Sequence, residues 1–254
     1  MNTFLAAFDN VPDPRADNAR HGLCELLVVA FVAVFCGATS CAEMADFGRA
    51  KEQVFRGSLK LKHAIPSHDT FSTVFRMIDP KALDAVFGRV LIGIAAWLGD
   101  GDVIAIDGKA LRGARDKGHS ARTRMMVSAY AAQLRLTLAT VAADHGGELE
   151  AAIEVLGLIA LKGMDACFRG LHGPTVRAPW GIENAMHQQL YVSFREDAVR
   201  NRKDNGPANI AILRRRVLNL ARRDNSKGSF SIKLKWAGWS DAFLLSLLRR
   251  LADT

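Results

Sequence analysis

Residues 103–113 read Val-Ile-Ala-Ile-Asp107-Gly108-Lys109-Ala-Leu-Arg112-Gly, so a short apolar run ends in a carboxylate that Gly and Lys follow at once. This pattern predicts a buried β-strand that presents Asp107 at its exposed end. Carboxylates in such positions often bind divalent metal ions in phosphoryl-transfer sites. A strand that ends in Asp-Gly is also typical of a simple hairpin, and these residues alone leave both interpretations open.

Helical patterns fill the chain before this strand. Apolar residues recur at helical spacing in residues 22–36, 42–56 and 67–78, with Ser67 as an expected N-cap, and again in residues 80–98. No strand pattern interrupts them. The sequence therefore predicts an all-helical N-terminal domain over residues 1–98.

Strands and helices alternate in the remainder of the chain, residues 99–254. A three-stranded meander is expected from strands at 103–107, 125–131 and 134–142, with a basic loop at 108–123. Helices are expected at 148–161, 182–190, 207–223 and 240–251, with a short tail at 232–239 before the last one. The whole chain is thus predicted to be α/β (α+β), a helical domain followed by a mixed-sheet domain with flanking helices.

The positive charge is unevenly distributed. The chain carries a formal net charge of +8, and residues 1–194 hold equal numbers of basic and acidic side chains. The entire excess therefore lies in residues 195–254, where 14 Lys and Arg face 6 Asp and Glu. A local excess of this kind suits a phosphate backbone, and a solvated helical surface explains it equally well.

Cysteine spacing and hydropathy exclude several classes of protein. The four cysteines form no C-x-x-C pair, so no zinc site is indicated. The apolar run Leu26–Cys36 spans 11 residues, too few to cross a bilayer. The polar N-terminus has no signal-peptide pattern, so we expect a cytoplasmic protein without a membrane partner.

Several motifs resemble those of one family. Over residues 8–98 they are Asp13-Pro14-Arg15, His21-Gly22-Leu23, Phe35-Cys36-Gly37-Ala38, Phe47-Gly48 and Ile65-Pro66-Ser67-His68-Asp69-Thr70-Phe71. Further along they are Ala105-Ile106-Asp107-Gly108-Lys109, Val127-Ser128-Ala129, Trp180-Gly181-Ile182-Glu183-Asn184 and Ala237-Gly238-Trp239. With these motifs the chain resembles the H-repeat-associated (ISAs-type) insertion-sequence transposases, bacterial members of the DDE superfamily with a ribonuclease H-like catalytic fold.

This resemblance implies a site and a reaction. Asp107, Asp165 and Glu183 would be the three catalytic acids and would hold two Mg²⁺ or Mn²⁺ ions for DNA strand cleavage and transfer. The implied partners are double-stranded DNA at transposon ends and a second copy of the chain, in the bacterial nucleoid. The cations expected to contact DNA are Lys109, Arg112, Arg214, Arg215, Arg216, Arg222 and Arg223. The alternative for the Arg214–Arg216 cluster is that it forms a solvated helix face without a DNA contact.

The chain departs from the family between the second and third acids. Asp165 and Glu183 are only 18 residues apart, where the family has a long segment with further core strands. Leu161-Lys162-Gly163 also runs directly into Met164-Asp165, without the apolar strand expected before the acid. These features predict an internal deletion, which truncates the ribonuclease H-like domain. Two further functions follow as alternatives: a non-catalytic DNA-binding remnant, and a metal-dependent nuclease on the same fold.

Overall fold

A computed structural model describes residues 8–95, 103–114, 124–143, 147–159, 165–168, 182–198 and 201–252. Its N-terminal part is helical, as predicted. The helices are α1 (Leu23–Phe35), α2 (Cys41–Ala50), α3 (Glu52–Arg56), α4 (His68–Met77) and α5 (Pro80–Ala95).

Local signals in the sequence set the ends of these helices. The Ser40 and Ser67 side chains accept the Glu43 and Thr70 backbone N–H groups and so cap α2 and α4. Gly37 follows α1 with a φ of +98°, a left-handed conformation that glycine adopts without strain. The single helix predicted for residues 42–56 is wrong, because Lys51 leaves the helical region and separates α2 from α3.

The second part of the chain builds a four-stranded mixed sheet. Its strands are β1 (Val103–Ala110), β2 (Met125–Ala131), β3 (Leu136–Ala143) and β4 (Asp165–Phe168), in the order β3-β2-β1-β4. The predicted meander β1-β2-β3 is antiparallel, and β4 pairs in parallel with β1. The α/β class is therefore confirmed, and the fourth strand is an addition that the sequence pattern did not predict.

The remaining helices all lie in the second part of the chain. They are α6 (Gly147–Gly157), α7 (Gln188–Val192), α8 (Gly206–Arg223), α9 (Phe230–Trp239) and α10 (Asp241–Ala252). A π-helical segment, Glu183–His187, leads directly into α7. The tail expected at 232–239 is instead the helix α9, whose N-cap Ser229 accepts the Ile232 backbone N–H.

Helix α8 lies at the centre of the molecule. Every residue from Gly206 to Ala221 is buried, because α8 packs against α1, α4 and α5 on one side and against β3 on another. One apolar core therefore contains side chains from both of the domains predicted from the sequence. The predicted boundary near residue 98 falls outside the described residues and stays a prediction about sequence organisation.

The two faces of the sheet have separate apolar partners. Ala105, Met126 and Tyr130 join the large core on the face toward α8. Ile104, Ile106 and their neighbours on β2 and β3 pack beneath Ala151, Ala152 and Val155 of α6. Because side chains alternate along a strand, Asp107 and Lys109 lie on the same side of β1 as Ala105.

Candidate functional site

Asp107 lies within β1 and not at the end of the strand. Its neighbours Gly108, Lys109 and Ala110 continue the ladder with β2, where Asp107 itself pairs with Ser128. The side chain of Asp107 is buried, and its Oδ1 accepts the Gly108 backbone N–H at 2.9 Å. The sequence thus predicted the strand correctly but placed its end three residues too early, and the catalytic role of Asp107 stays a prediction.

A histidine from the π-helical segment faces Asp107. His187 Nδ1 lies 3.7 Å from Asp107 Oδ2, and both side chains are largely shielded from solvent. Glu183 begins the same helical segment four residues earlier and is exposed. Residues at this spacing share one side of a helix, so the fold brings the Glu183 segment up to Asp107.

Asp165 does not lie level with Asp107. Strand β4 begins at Asp165, which pairs with Val103, and ends at Phe168, which pairs with Ile106. Strands rise about 3.3 Å per residue, so the four-residue offset from Val103 to Asp107 puts the Asp165 backbone about 13 Å back along the sheet. The side chain of Asp165 lies outside the described residues, and its catalytic role stays a prediction.

The described backbone does not bring Asp165 level with Asp107, as the ligands of one two-metal centre would need to be. Such a centre holds its two cations about 3.5–4 Å apart, which requires carboxylates that converge on one point. Among the side chains that the structure describes, no three His, Cys, Asp or Glu residues are arranged to hold a metal ion. The Asp165 side chain is not among those described, and the register of β4 offsets its backbone from Asp107 by four residues.

Lys109, two residues after Asp107, belongs to a buried ionic network. Its Nζ lies 3.0 Å from Asp197 Oδ1 and 3.7 Å from Glu196 Oε2. Glu196 Oε1 in turn pairs with Arg215 Nη1 at 3.1 Å, and the Arg215 Nε donates to Ser128 Oγ at 3.1 Å. The network joins β1 and β2 to α8 through the short 3₁₀ helix Glu196–Ala198.

The three consecutive arginines of α8 are internal, so the prediction that Arg214, Arg215 and Arg216 contact DNA is wrong for this fold. Their relative exposures are 2%, 0% and 3%. Arg214 donates to the Thr39 carbonyl, and Arg216 donates to the Thr137 carbonyl and to Asp84 Oδ1, at 2.5 Å. Burial lowers the pKa of Arg214 to about 10.

The other predicted DNA contacts differ in exposure. Arg222 is half-buried, because it stacks over Tyr130 and donates to the Tyr130 hydroxyl and to the carbonyls of Arg135 and Ala185. Arg223 is half-buried and Lys109 is held in its ion pairs. Arg112, in the short 3₁₀ helix Arg112–Ala114 just after β1, is the predicted contact that is exposed.

Sequence reasoning missed several residues around Asp107. His187 is not among the predicted site residues, although its spacing of four from Glu183 places both on one side of a helix. Nothing local in the sequence predicted the ion pairs of Glu196 with Arg215 and of Asp197 with Lys109, because the partners lie on other elements. Arg124, Arg202 and Lys203 were not expected at the site either, although they lie close to Arg112 (described below).

Comparisons with known proteins identify the class. The family described as DDE_Tnp_1-associated matches residues 5–91. The "H repeat-associated putative transposase YhhI" of Escherichia coli is 30% identical over 155 residues, 60% of this chain and 41% of that protein. The E. coli K12 protein "Putative transposase YncI" is 31% identical over 170 residues, 64% of this chain and 66% of that protein. Residues 5–91 thus form a DDE_Tnp_1-associated domain, and the chain is a relative of the H repeat-associated putative transposases.

Two further comparisons qualify this assignment. An "Uncharacterized protein in dhlA 3'region" of Xanthobacter autotrophicus is 36% identical over 167 residues, 62% of this chain and 54% of that protein. The chain thus spans about half the length of the curated relatives it matches. No solved structure matches the chain. Within the described residues, none of the helices combines the length and the apolarity that a bilayer crossing requires.

Proposed function

We propose that this chain is a DNA-binding derivative of a DDE transposase that no longer carries out strand transfer. Similarity to the putative transposases supports the DNA partner. Three antiparallel strands with a fourth strand parallel to the first support a ribonuclease H-like catalytic sheet. The observation that supports the loss of catalysis is the register of β4 on β1, because it offsets Asp165 from Asp107 by four residues.

The missing sequence before Asp165 accounts for that register. An acid at the far end of β4 needs an apolar strand in front of it, and Leu161-Lys162-Gly163-Met164 supplies none. The chain after the acid, Asp165–Phe168, pairs with β1 instead. The internal deletion predicted between Asp165 and Glu183 falls on residues 169–181, outside the described residues, and is part of this proposal.

The chemistry of the retained residues fits binding better than catalysis. A DDE reaction uses Mg²⁺ or Mn²⁺ to activate a hydroxyl and to stabilise the leaving oxygen of an in-line displacement. Catalytic groups for this purpose must be held within about 0.5 Å of the productive geometry. Asp107 and the Glu183 segment meet, but a third acid beside them is not in register. We therefore expect DNA binding without metal-dependent cleavage.

Two measurements on the full chain test this proposal. Fluorescence anisotropy with a labelled 30-base-pair duplex should show binding that weakens linearly in log K with log salt concentration. Incubation of supercoiled DNA with 5 mM Mg²⁺ or Mn²⁺ should give the same background with the wild type and with Asp107→Asn. Cleavage or strand joining that Asp107→Asn abolishes would overturn the loss of catalysis, and would favour the transposase or nuclease reading. Absence of any DNA binding would overturn the proposal altogether.

A further inference from the structure

Three segments meet just beyond the end of β1. Residues 111–114 directly follow β1 and Arg124 directly precedes β2, and the Leu111 backbone N–H donates to the Arg124 carbonyl at 2.7 Å. The loop 201–205 lies against it, because Arg202 Nε donates to the Gly113 carbonyl at 3.2 Å. Arg124 closes the contact by donating from Nη1 to the Asp204 carbonyl. The end of α4 joins them through Arg76.

These segments carry a concentrated positive charge. The cations are Arg76, Arg112, Arg124, Arg202 and Lys203, which we call the strand-end basic surface. Within residues 111–114, 124, 201–205 and Arg76, Asp204 is the single carboxylate, so the formal charge is +4. Asp204 is paired with Arg76 at 2.6 Å and leaves the other four cations uncompensated by an acid of these segments.

The surface is held in place by hydrogen bonds. Asn205 Nδ2 donates to the Ile78 carbonyl at 3.0 Å, and the Asn205 backbone N–H donates to the Arg76 carbonyl at 3.4 Å. Arg112 and Lys203 are exposed at its outer side, while Arg124 and Arg202 are half-buried supports. A fixed scaffold loses little conformational freedom when a ligand binds, which favours recognition of a regular polyanion.

The position of the surface relates it to the candidate site. Arg112 follows Asp107 by five residues along the same strand and its continuation. The short helices Arg112–Ala114 and Glu196–Ala198 pack against each other, and the second of them holds Lys109. A polyanion lying on the strand-end basic surface would therefore pass beside the end of β1, which lies three residues beyond Asp107.

We propose that the strand-end basic surface binds the phosphodiester backbone of duplex DNA. The inference rests on the proposed function and assigns its DNA contact to residues that the sequence did not single out, apart from Arg112. Part of the positive excess of residues 195–254 reaches solvent here, at the exposed Lys203, whereas the arginines at 214–216 are internal. Backbone contacts of this kind position a protein on DNA without reading its sequence.

A charge-removal pair tests the surface. Arg112→Gln with Lys203→Gln removes two exposed cations and leaves the supporting hydrogen bonds of Arg124 and Arg202 in place. Each phosphate contact contributes about 0.9 to the slope of log K against log salt. The double variant should therefore reduce that slope by roughly two and weaken binding on the order of tenfold to a hundredfold at 0.1 M salt.

The matched control is Lys227→Gln with Lys235→Gln, two exposed cations near the other end of α8. Helix α8 has 18 residues, which corresponds to about 27 Å between its ends. The control should keep the wild-type slope, and Arg112→Lys with Lys203→Arg should also keep it. If the wild type binds DNA and Arg112→Gln with Lys203→Gln leaves the slope of log K against log salt unchanged, the inference is overturned and the proposed function stands. If the wild type binds no duplex, both fail.

Discussion

Arg215 and Glu196 form an ion pair inside the molecule, with 3.1 Å between Arg215 Nη1 and Glu196 Oε1 and almost no exposure of either side chain. Arg215 also donates to the Ala211 carbonyl and to Ser128 Oγ, so one guanidinium joins α8, β2 and the short helix that contacts Lys109. The pair therefore holds the elements around Asp107 in fixed relation.

Glu196→Gln should strongly destabilise the protein. The substitution keeps the shape of the side chain but leaves the Arg215 charge buried without its partner, a change that costs about 3–5 kcal/mol in comparable pairs. Equilibrium urea unfolding followed by circular dichroism measures the free energy of unfolding. The matched control is Glu52→Gln, which breaks the half-exposed Arg56–Glu52 pair and should cost roughly half a kcal/mol or less. Equal effects of the two substitutions would contradict the structural role of the buried pair.

The arginines of α8 show why local sequence could not predict the site. Arg214, Arg215 and Arg216 read as a basic helix surface, because three charged residues in a row are rarely buried. Each is buried here because a different remote segment offers it an acceptor: Thr39, Glu196 and Asp84 respectively. A pattern of charge along one helix contains no information about acceptors on other elements, two of which, Thr39 and Asp84, lie more than a hundred residues away.

The sheet shows the same contrast: local sequence patterns predicted its strands, but not the register in which β4 pairs with β1. The apolar run before Asp107 predicted the strand, and alternation predicted β2 and β3, because these signals are local. The register of β4 is not local, since it depends on which of the residues around Asp165 pair with β1. The sequence placed the acids in order along the chain, and only the pairing of Asp165 with Val103 shows their offset.

Gly48 lies where α2 packs closely against neighbouring side chains. A Cβ at this position would lie 2.6 Å from Ile65 Cγ2 and 3.1 Å from Val29 Cγ1. We expect Gly48→Ala to destabilise the protein by about 1–3 kcal/mol, as is typical of overpacked cores. Gly157→Ala is the matched control at the end of α6, where a Cβ would meet no atom within 4 Å. That change should be neutral or stabilising, because alanine has the higher helix propensity. Thermal unfolding of both variants measures the difference; a Gly48→Ala protein as stable as Gly157→Ala would contradict the close packing.

The thiols of the helical part should react slowly in the native state. Burial raises the pKa of Cys24 and Cys36 to about 12, and it also raises the pKa of Cys41. The thiolate is the reactive form, so at pH 8 a thiol with this pKa has about a thousandfold less of it than an ordinary cysteine with a pKa near 9. Iodoacetamide labelling with peptide mass spectrometry should modify Cys24 and Cys36 only after addition of guanidinium chloride. Fast modification of the native chain would contradict the raised pKa of these two partly buried thiols.

The pair His21 and His63 should make stability depend on pH. The rings lie 6.2 Å apart, and partial burial, followed by the charge of His63, lowers the pKa of His21 below its ordinary value of 6.5. The unfolded chain therefore takes up the proton at higher pH than the folded chain. The contribution of His21 to stability is complete above pH 6.5 and is lost as the pH falls through the lower folded value. NMR titration of the His21 ring should give a pKa that rises in His63→Gln and stays the same in His68→Gln. A His21 pKa that His63→Gln leaves unchanged would show that the charge of His63 does not contribute to the shift.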